Sequence, residues 1–120
     1  MEKYKQIVGD FGESLAQKYL ITKGYVIIGT KIKNSYQEID IIAQRQQKLV
    51  FVEVKTRTSD LLGEAEEAMN GQKIKNLKKA MQEYALVHNH DFDDVRGDLI
   101  AITINKSKKI ANIKHYRDIF

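Results

Sequence analysis

The chain has 120 residues and a formal net charge of +4, with no Cys and no Pro. That length fits one domain, residues 1–120, with a single core. The missing Cys excludes disulfides, a thiolate zinc site and a Cys nucleophile. No apolar run is long enough to span a membrane. The opening residues 1–6 lack the apolar stretch of a signal peptide, so the expected location is cytoplasmic. The mild positive charge points weakly towards nucleic acid.

Residues 1–20 read as a helix with a candidate break near Gly9; Phe11, Leu15, Ala16 and Tyr19 form its apolar stripe. Asp10-Phe11-Gly12-Glu13 matches a capping box, with Asp10 as N-cap. Glu13 has a second reading. It borders the apolar stripe, where a carboxylate reaches over a sheet edge towards a site at its rim. Gly24 is the expected C′ residue.

Residues 25–28 begin a strand that extends through 31–33, and 34–36 turn into a second strand over 38–43. A third strand covers 49–55, giving an antiparallel meander. Residues 56–63 read as a polar loop and 64–69 as a helical turn. Gly71 interrupts before a helix over 72–87, whose apolar positions are Ile74, Leu77, Met81, Tyr84 and Ala85. Lys73, Lys75, Lys78 and Lys79 occupy its other face, either as a solvated surface or as a track for phosphates.

Residues 88–94 form a polar loop, where His88 and His90 are too scattered from His115 to suggest zinc. A β-prone strand over 97–104, a turn at 105–108 and an edge strand over 110–116 finish the chain. The third strand, the helix and the 97–104 strand make a βαβ unit with parallel strands. The order is α-β-β-β-α-β-β: an α/β fold, a mixed sheet flanked by helices.

The anomaly lies in Gln37–Arg57, Q-E-I-D-I-I-A-Q-R-Q-Q-K-L-V-F-V-E-V-K-T-R. Two apolar strands carry charges on faces that should pack. Alternation puts Leu49, Phe51, Glu53 and Lys55 on one face, and Glu38, Asp40 and Ile42 on one face of the neighbour. A turn at residues 45–48 pairs Gln44 with Leu49. Asp40 then faces Glu53, and Glu38 faces Lys55. Opposed carboxylates repel, and a hard divalent cation reverses that sign. Lys55, one pleat away, stands ready to orient or deprotonate a water. The competing reading is a Glu38–Lys55 ion pair with Asp40 and Glu53 on a solvated face.

The element order and the spacing of Glu13, Asp40, Glu53 and Lys55 resemble the restriction-endonuclease-like nucleases, archaeal Holliday-junction resolvases especially. Over nearly the whole chain the sequence is similar to the bacterial YraN-like family. The shared stretches are G-E-x-x-A-x-x-Y-L at Gly12–Leu20, E-I-D-I-I-A at Glu38–Ala43, V-F-V-E-V-K-T-R at Val50–Arg57, and Arg96-Gly97-Asp98. Gln37 replaces a usual Gly, and Lys31-Ile32-Lys33 replaces N-x-R, which keeps charge but loses bidentate phosphate recognition.

The resemblance implies a restriction-endonuclease-like core. It implies Mg²⁺ or Mn²⁺ held by Asp40 and Glu53, Lys55 as the catalytic lysine and Glu13 as an additional acid. The implied activity is phosphodiester hydrolysis in branched or structured DNA. Arg57, Lys31, Lys33, Lys73, Lys75, Lys78 and Lys79 are the candidate phosphate contacts. Cutting both strands of a junction needs two sites, which a homodimer supplies. The alternatives are a non-catalytic nucleic-acid-binding or assembly module that keeps the fold, and a structural protein with surface ion pairs.

Overall fold

The computed structural model describes residues 2–58, 70–90 and 94–120. Helix α1 (Glu2–Thr22) precedes strands β1 (Val26–Ile32), β2 (Ile39–Arg45) and β3 (Lys48–Thr58). Helix α2 (Gly71–Val87) then leads to β4 (Val95–Asn105) and β5 (Ile110–Tyr116). The expected order α-β-β-β-α-β-β is the observed one. The helical turn read over 64–69 lies outside the described residues.

β3 is central because both its faces are apolar. Val50, Val52 and Val54 pack with Ala16 and Leu20 of α1, while Leu49 and Phe51 pack with Ala80 and Met81 of α2. The helices therefore cover opposite faces of a sheet ordered β1-β2-β3-β4-β5. Each fully buried Val, Leu, Ile or Phe contributes about 1.5–3 kcal/mol, so this strand anchors two cores at once. β3 pairs antiparallel with β2 and parallel with β4.

β3 also runs past its expected end. Thr56, Arg57 and Thr58 pair with Ile102, Thr103 and Ile104 of β4, so these polar residues are strand rather than loop. The ladder satisfies their backbone, whatever their side chains prefer.

The expected break at Gly9 and the capping box at Asp10 are both corrected. α1 runs unbroken through Gly9, at a cost of about 1 kcal/mol relative to Ala. Inside a helix the backbone N–H groups are already satisfied, so Asp10 pairs with Lys31 Nζ at 2.9 Å instead. α1 ends as expected: Gly24 takes φ +92° and Tyr25 N–H bonds back to Leu20 O at 2.9 Å.

α1 crosses β3 in close contact. A Cβ on Gly12 would lie 2.7 Å from Cβ of Thr56. Only glycine permits this approach, and it seats the next residue, Glu13, against the end of the sheet that carries the acids.

On the α1 side, Asp98 of β4 is fully buried and fully partnered. It accepts two hydrogen bonds from Arg96 at 2.9 Å each, one from Asp118 N–H at 2.9 Å, and lies 2.7 Å from His115 Nε2. Burial pushes its carboxyl up, but the bonds from His115, Arg96 and Asp118 outweigh this and hold it below the usual range. Arg96 reaches Tyr25 Oη at 2.6 Å, and His115 Nδ1 meets Tyr19 Oη at 3.1 Å. The network ties α1, β4 and β5 together, away from the acids described next.

Candidate active site

The β2–β3 hairpin has the register read from the sequence: Gln44 opposite Leu49 and Ile42 opposite Phe51. The ladder stops at Ile41–Val52. β2 stays paired with β1 through Ile39, opposite Ile32, so it leaves β3 while keeping its other neighbour. Alternation breaks there too, since Ile39 and Ile42 both pack on the α2 side. Asp40 lies in this fork. Its Oδ2 accepts the N–H of Val54 at 2.8 Å, a donor that the ladder no longer serves.

This corrects the expected pleat-by-pleat facing of Asp40 with Glu53 and of Glu38 with Lys55. Asp40 nevertheless lies close enough to Glu53 for its charge and hydrogen bonding to raise that carboxyl's pKa. Glu38 lies beyond the ladder and is exposed.

Glu53 is 5% exposed. Its Oε2 accepts Gln37 Nε2 at 3.1 Å and stands 3.6 Å from Lys73 Nζ. Burial, with the shared hydrogen bond and negative charge of Asp40, pushes its pKa up to about 8, against the pull of Lys73 and Lys55. Lys55 is half-buried beside it. Burial and the close Lys73 amino group lower its pKa, against the attraction of Glu53 and Asp40.

Glu13 approaches from α1. Burial first, then the Asp40 charge, raise its pKa to about 6. Its Oε1 is buried without a hydrogen-bond partner; Lys31 Nζ, at 3.8 Å, neutralises it only as a loose ion pair. Lys31 is held by a left-handed backbone (φ 49°) within β1, a conformation costly for a residue with a Cβ. Its shorter bond to Asp10 raises its pKa.

Among the described residues, no group of three His, Cys, Asp or Glu side chains is close enough to hold a metal ion unaided. The donor chemistry nevertheless fits a hard cation. Mg²⁺ typically uses one or two carboxylates and completes its shell with phosphate and water. Asp40 and Glu53 offer two neighbouring carboxylates, and the Asp40 charge beside buried Glu53 is one that a cation would offset. Glu13 adds a buried oxygen with no donor.

Asp40, Glu53, Lys55 and Lys73 thus come together, with Glu13 alongside. Arg57 continues the Glu53–Lys55 face of β3, half-buried. Lys75, Lys78 and Lys79 are exposed along α2, and Lys33 is exposed beyond β1. Sequence reasoning assigned Lys73 to the outer helix face. Its first-turn position, after the Asn70 N-cap that accepts Lys73 N–H at 2.9 Å, brings it over the acids instead. Gln37 was not singled out as a contact to Glu53. Its only signal was its place beside E-I-D.

The sequence model of the family described as Uncharacterised protein family UPF0102 matches residues 12–102, which span every residue of this site. A UPF0102 protein of Flavobacterium psychrophilum is 41% identical over 113 residues, covering 94% of this chain and 92% of its own. One from Syntrophomonas wolfei is 38% identical over 105 residues, covering 88% and 91%. One from Clostridium beijerinckii is 33% identical over 120 residues, covering 100% and 98%.

Proposed function

We propose that this chain, which belongs to the UPF0102 family, is a divalent-metal-dependent DNA endonuclease acting on branched or otherwise structured DNA. The observation that carries the reading is the pairing of half-buried Asp40 with buried Glu53, with Lys55 beside them. Burial and the neighbouring Asp40 raise the Glu53 pKa to about 8, and a hard cation held between the two carboxylates would offset that cost. The element order and the acid–acid–lysine constellation resemble those of restriction-endonuclease-like nucleases, with a spacing similar to that of the archaeal Holliday-junction resolvases.

In this reading Asp40 and Glu53 hold Mg²⁺ or Mn²⁺, and Glu13 adds an oxygen to the metal or to its water. Such an ion supplies Lewis-acid stabilisation of the phosphoryl oxygens and a more acidic water. Lys55, whose burial favours the neutral amine, takes the proton from the attacking water. Lys73 Nζ stands 3.6 Å from Glu53 Oε2. A cation on Glu53 would displace this ammonium, which would then be free to meet the scissile phosphate. Arg57 and the exposed lysines of α2 bind flanking phosphates. Two copies, one per strand, complete the reaction on a junction.

The test is cleavage of a panel of labelled substrates, namely duplex, fork, flap and four-way junction, in Mg²⁺, Mn²⁺ and chelator. Metal-dependent cutting that disappears in Asp40→Asn, Glu53→Gln and Lys55→Ala supports the reading. Cutting that survives when Asp40 and Glu53 are both replaced overturns it.

One observation favours a second reading, a non-catalytic nucleic-acid-binding module. Lys73 already balances Glu53, and no three acids converge among the described residues. Structure-selective DNA binding with no cleavage under any metal would support it.

A further inference from the structure

Next to the acids stands an aromatic side chain that the proposed chemistry leaves unused. Tyr36 is 48% exposed, in the loop between β1 and β2. The loop is held firmly. Asn34 Oδ1 accepts both the Tyr36 N–H at 2.9 Å and the Gln37 N–H at 3.1 Å, and Ser35 N–H reaches Glu83 Oε1 at 3.4 Å. The next residue, Gln37, is tied to Glu53. The backbone that carries this exposed ring is thereby held one residue from the side chain that bonds Glu53.

Tyr36 forms one wall of a groove of about 360 Å³ whose other walls are Lys79, Gln82, Glu83 and Leu86 of α2. Lys79 Nζ lies 5.7 Å from the ring centroid. Leu86 is 68% exposed and supplies an apolar edge. At about 1.5 Å rise per residue, Lys79 is about 9 Å along α2 from Lys73, or roughly two to three nucleotide steps of a stacked strand.

We propose that this groove takes an unpaired nucleobase of the DNA strand whose phosphate enters the Asp40–Glu53 site. The inference rests on the DNA reading above and narrows its substrate to DNA with an unpaired nucleotide near the cut. Tyr36 supplies the stacking face, which any base can use. Lys79 neutralises the adjoining phosphate. Gln82 offers an amide to a base edge, and Glu83 has lone pairs left for an exocyclic amine. A carboxylate there is wrong for a duplex backbone, since it repels phosphate, and right for a base edge. Paired bases in a continuous duplex remain stacked and present no face to Tyr36. Forks, flaps and junction centres do.

The experiment measures affinity by fluorescence anisotropy, with Ca²⁺ in place of Mg²⁺, for a fork with unpaired arms and a blunt duplex of the same length. The parent is compared with Tyr36→Ala, Tyr36→Trp and Tyr36→Phe, and thermal melts verify that each variant is folded. Tyr36→Ala should weaken fork binding by about tenfold, within the range for loss of one base–aromatic stack. Duplex binding should stay within about twofold, and Tyr36→Trp and Tyr36→Phe should bind the fork like the parent. A 2-aminopurine in the arm near the fork should be quenched by the parent and not by Tyr36→Ala.

Equal loss on both substrates, or no loss on the fork, overturns the proposal. If the parent cuts DNA in Mg²⁺ yet Tyr36→Ala matches it on every substrate, the groove falls and the nuclease stands. If the parent binds no DNA, both fall.

Discussion

Oδ2 of Asp40 accepts the backbone N–H of Val54 at 2.8 Å, where β2 and β3 part. One carboxylate thus closes a gap in the sheet and faces Glu53. The two duties separate by substitution. Asp40→Ala leaves the Val54 N–H without its partner and should destabilise the metal-free protein by about 1–3 kcal/mol in urea unfolding. Asp40→Asn keeps an acceptor oxygen and removes a charge beside Glu53, so it should be at least as stable as the parent at neutral pH. Equal destabilisation by both would mean that the charge, not the hydrogen bond, supports the fork.

Stability should fall with rising pH across the range where Glu53 titrates. Burial and Asp40 raise its folded-state pKa from 4.5 to about 8. The folded protein therefore binds the proton more tightly than the unfolded chain. The resulting stability is fully present below about 4.5 and is lost as pH rises through about 8. Glu13, raised to about 6, adds to the fall at its lower end. Denaturant midpoints of the metal-free protein, measured from pH 5 to pH 9, should decline. Glu53→Gln should flatten most of that decline, and an unchanged slope in this variant would place the titration elsewhere.

The closeness of α1 and β3 at Gly12 predicts a steric effect that reaches the site. Gly12→Ala puts a methyl 2.7 Å from Cβ of Thr56. Overpacking of this kind costs about 1–3 kcal/mol, and the helix must lift, which carries Glu13 away from Asp40. Thr56→Gly in the same chain makes room. It should recover part of the loss in thermal melts even though Thr56→Gly alone destabilises a strand. Additive losses would show that the contact is not the cause.

Much of this was legible because it follows from alternation. The common face of Glu53 and Lys55 comes from strand periodicity, the Gln44–Leu49 register from the turn at 45–48, and the parallel β3–β4 pair from the helical crossover between them. The fork at Asp40 did not, because a pattern that assumes unbroken alternation has no term for a strand that keeps one neighbour and leaves the other. Asp10–Glu13 misled because a capping box and two acids on a continuous helix have the same letters. Which one forms depends on Lys31, distant in sequence. Lys73 was assigned by helical phase, which ignores that the first turn of α2 overhangs the acids. The buried Asp98 did carry a signal: an acid in an apolar strand with Arg96 two residues earlier on the same face.

Salt dependence should report the α2 lysines. Lys75 and Lys78 are exposed on α2. If each contacts a duplex phosphate, the double variant Lys75→Ala, Lys78→Ala should flatten the log–log slope of affinity against salt by about 1.8. An unchanged slope would mean that this helix face points away from the nucleic acid.

The metal can be tested without any substrate. Glu53 has the Asp40 charge beside it and leans on Lys73 and Gln37. A cation that binds the folded site and not the unfolded chain stabilises by RT ln(1 + [L]/Kd), about 2.7 kcal/mol at a hundredfold excess over Kd. Thermal melts of the parent should therefore rise as Mn²⁺ is added. Asp40→Asn and Glu53→Gln should show little of that rise, each having lost a charged ligand. Lys73→Gln removes the ammonium that competes for Glu53, so its melting temperature should rise at lower Mn²⁺ than the parent's. A structural role for these charges gives a different pattern: no metal effect on any protein, with Lys73→Gln merely less stable. Identical melts of the parent in chelator and in Mn²⁺, over a wide concentration range, would remove the metal site and with it the endonuclease.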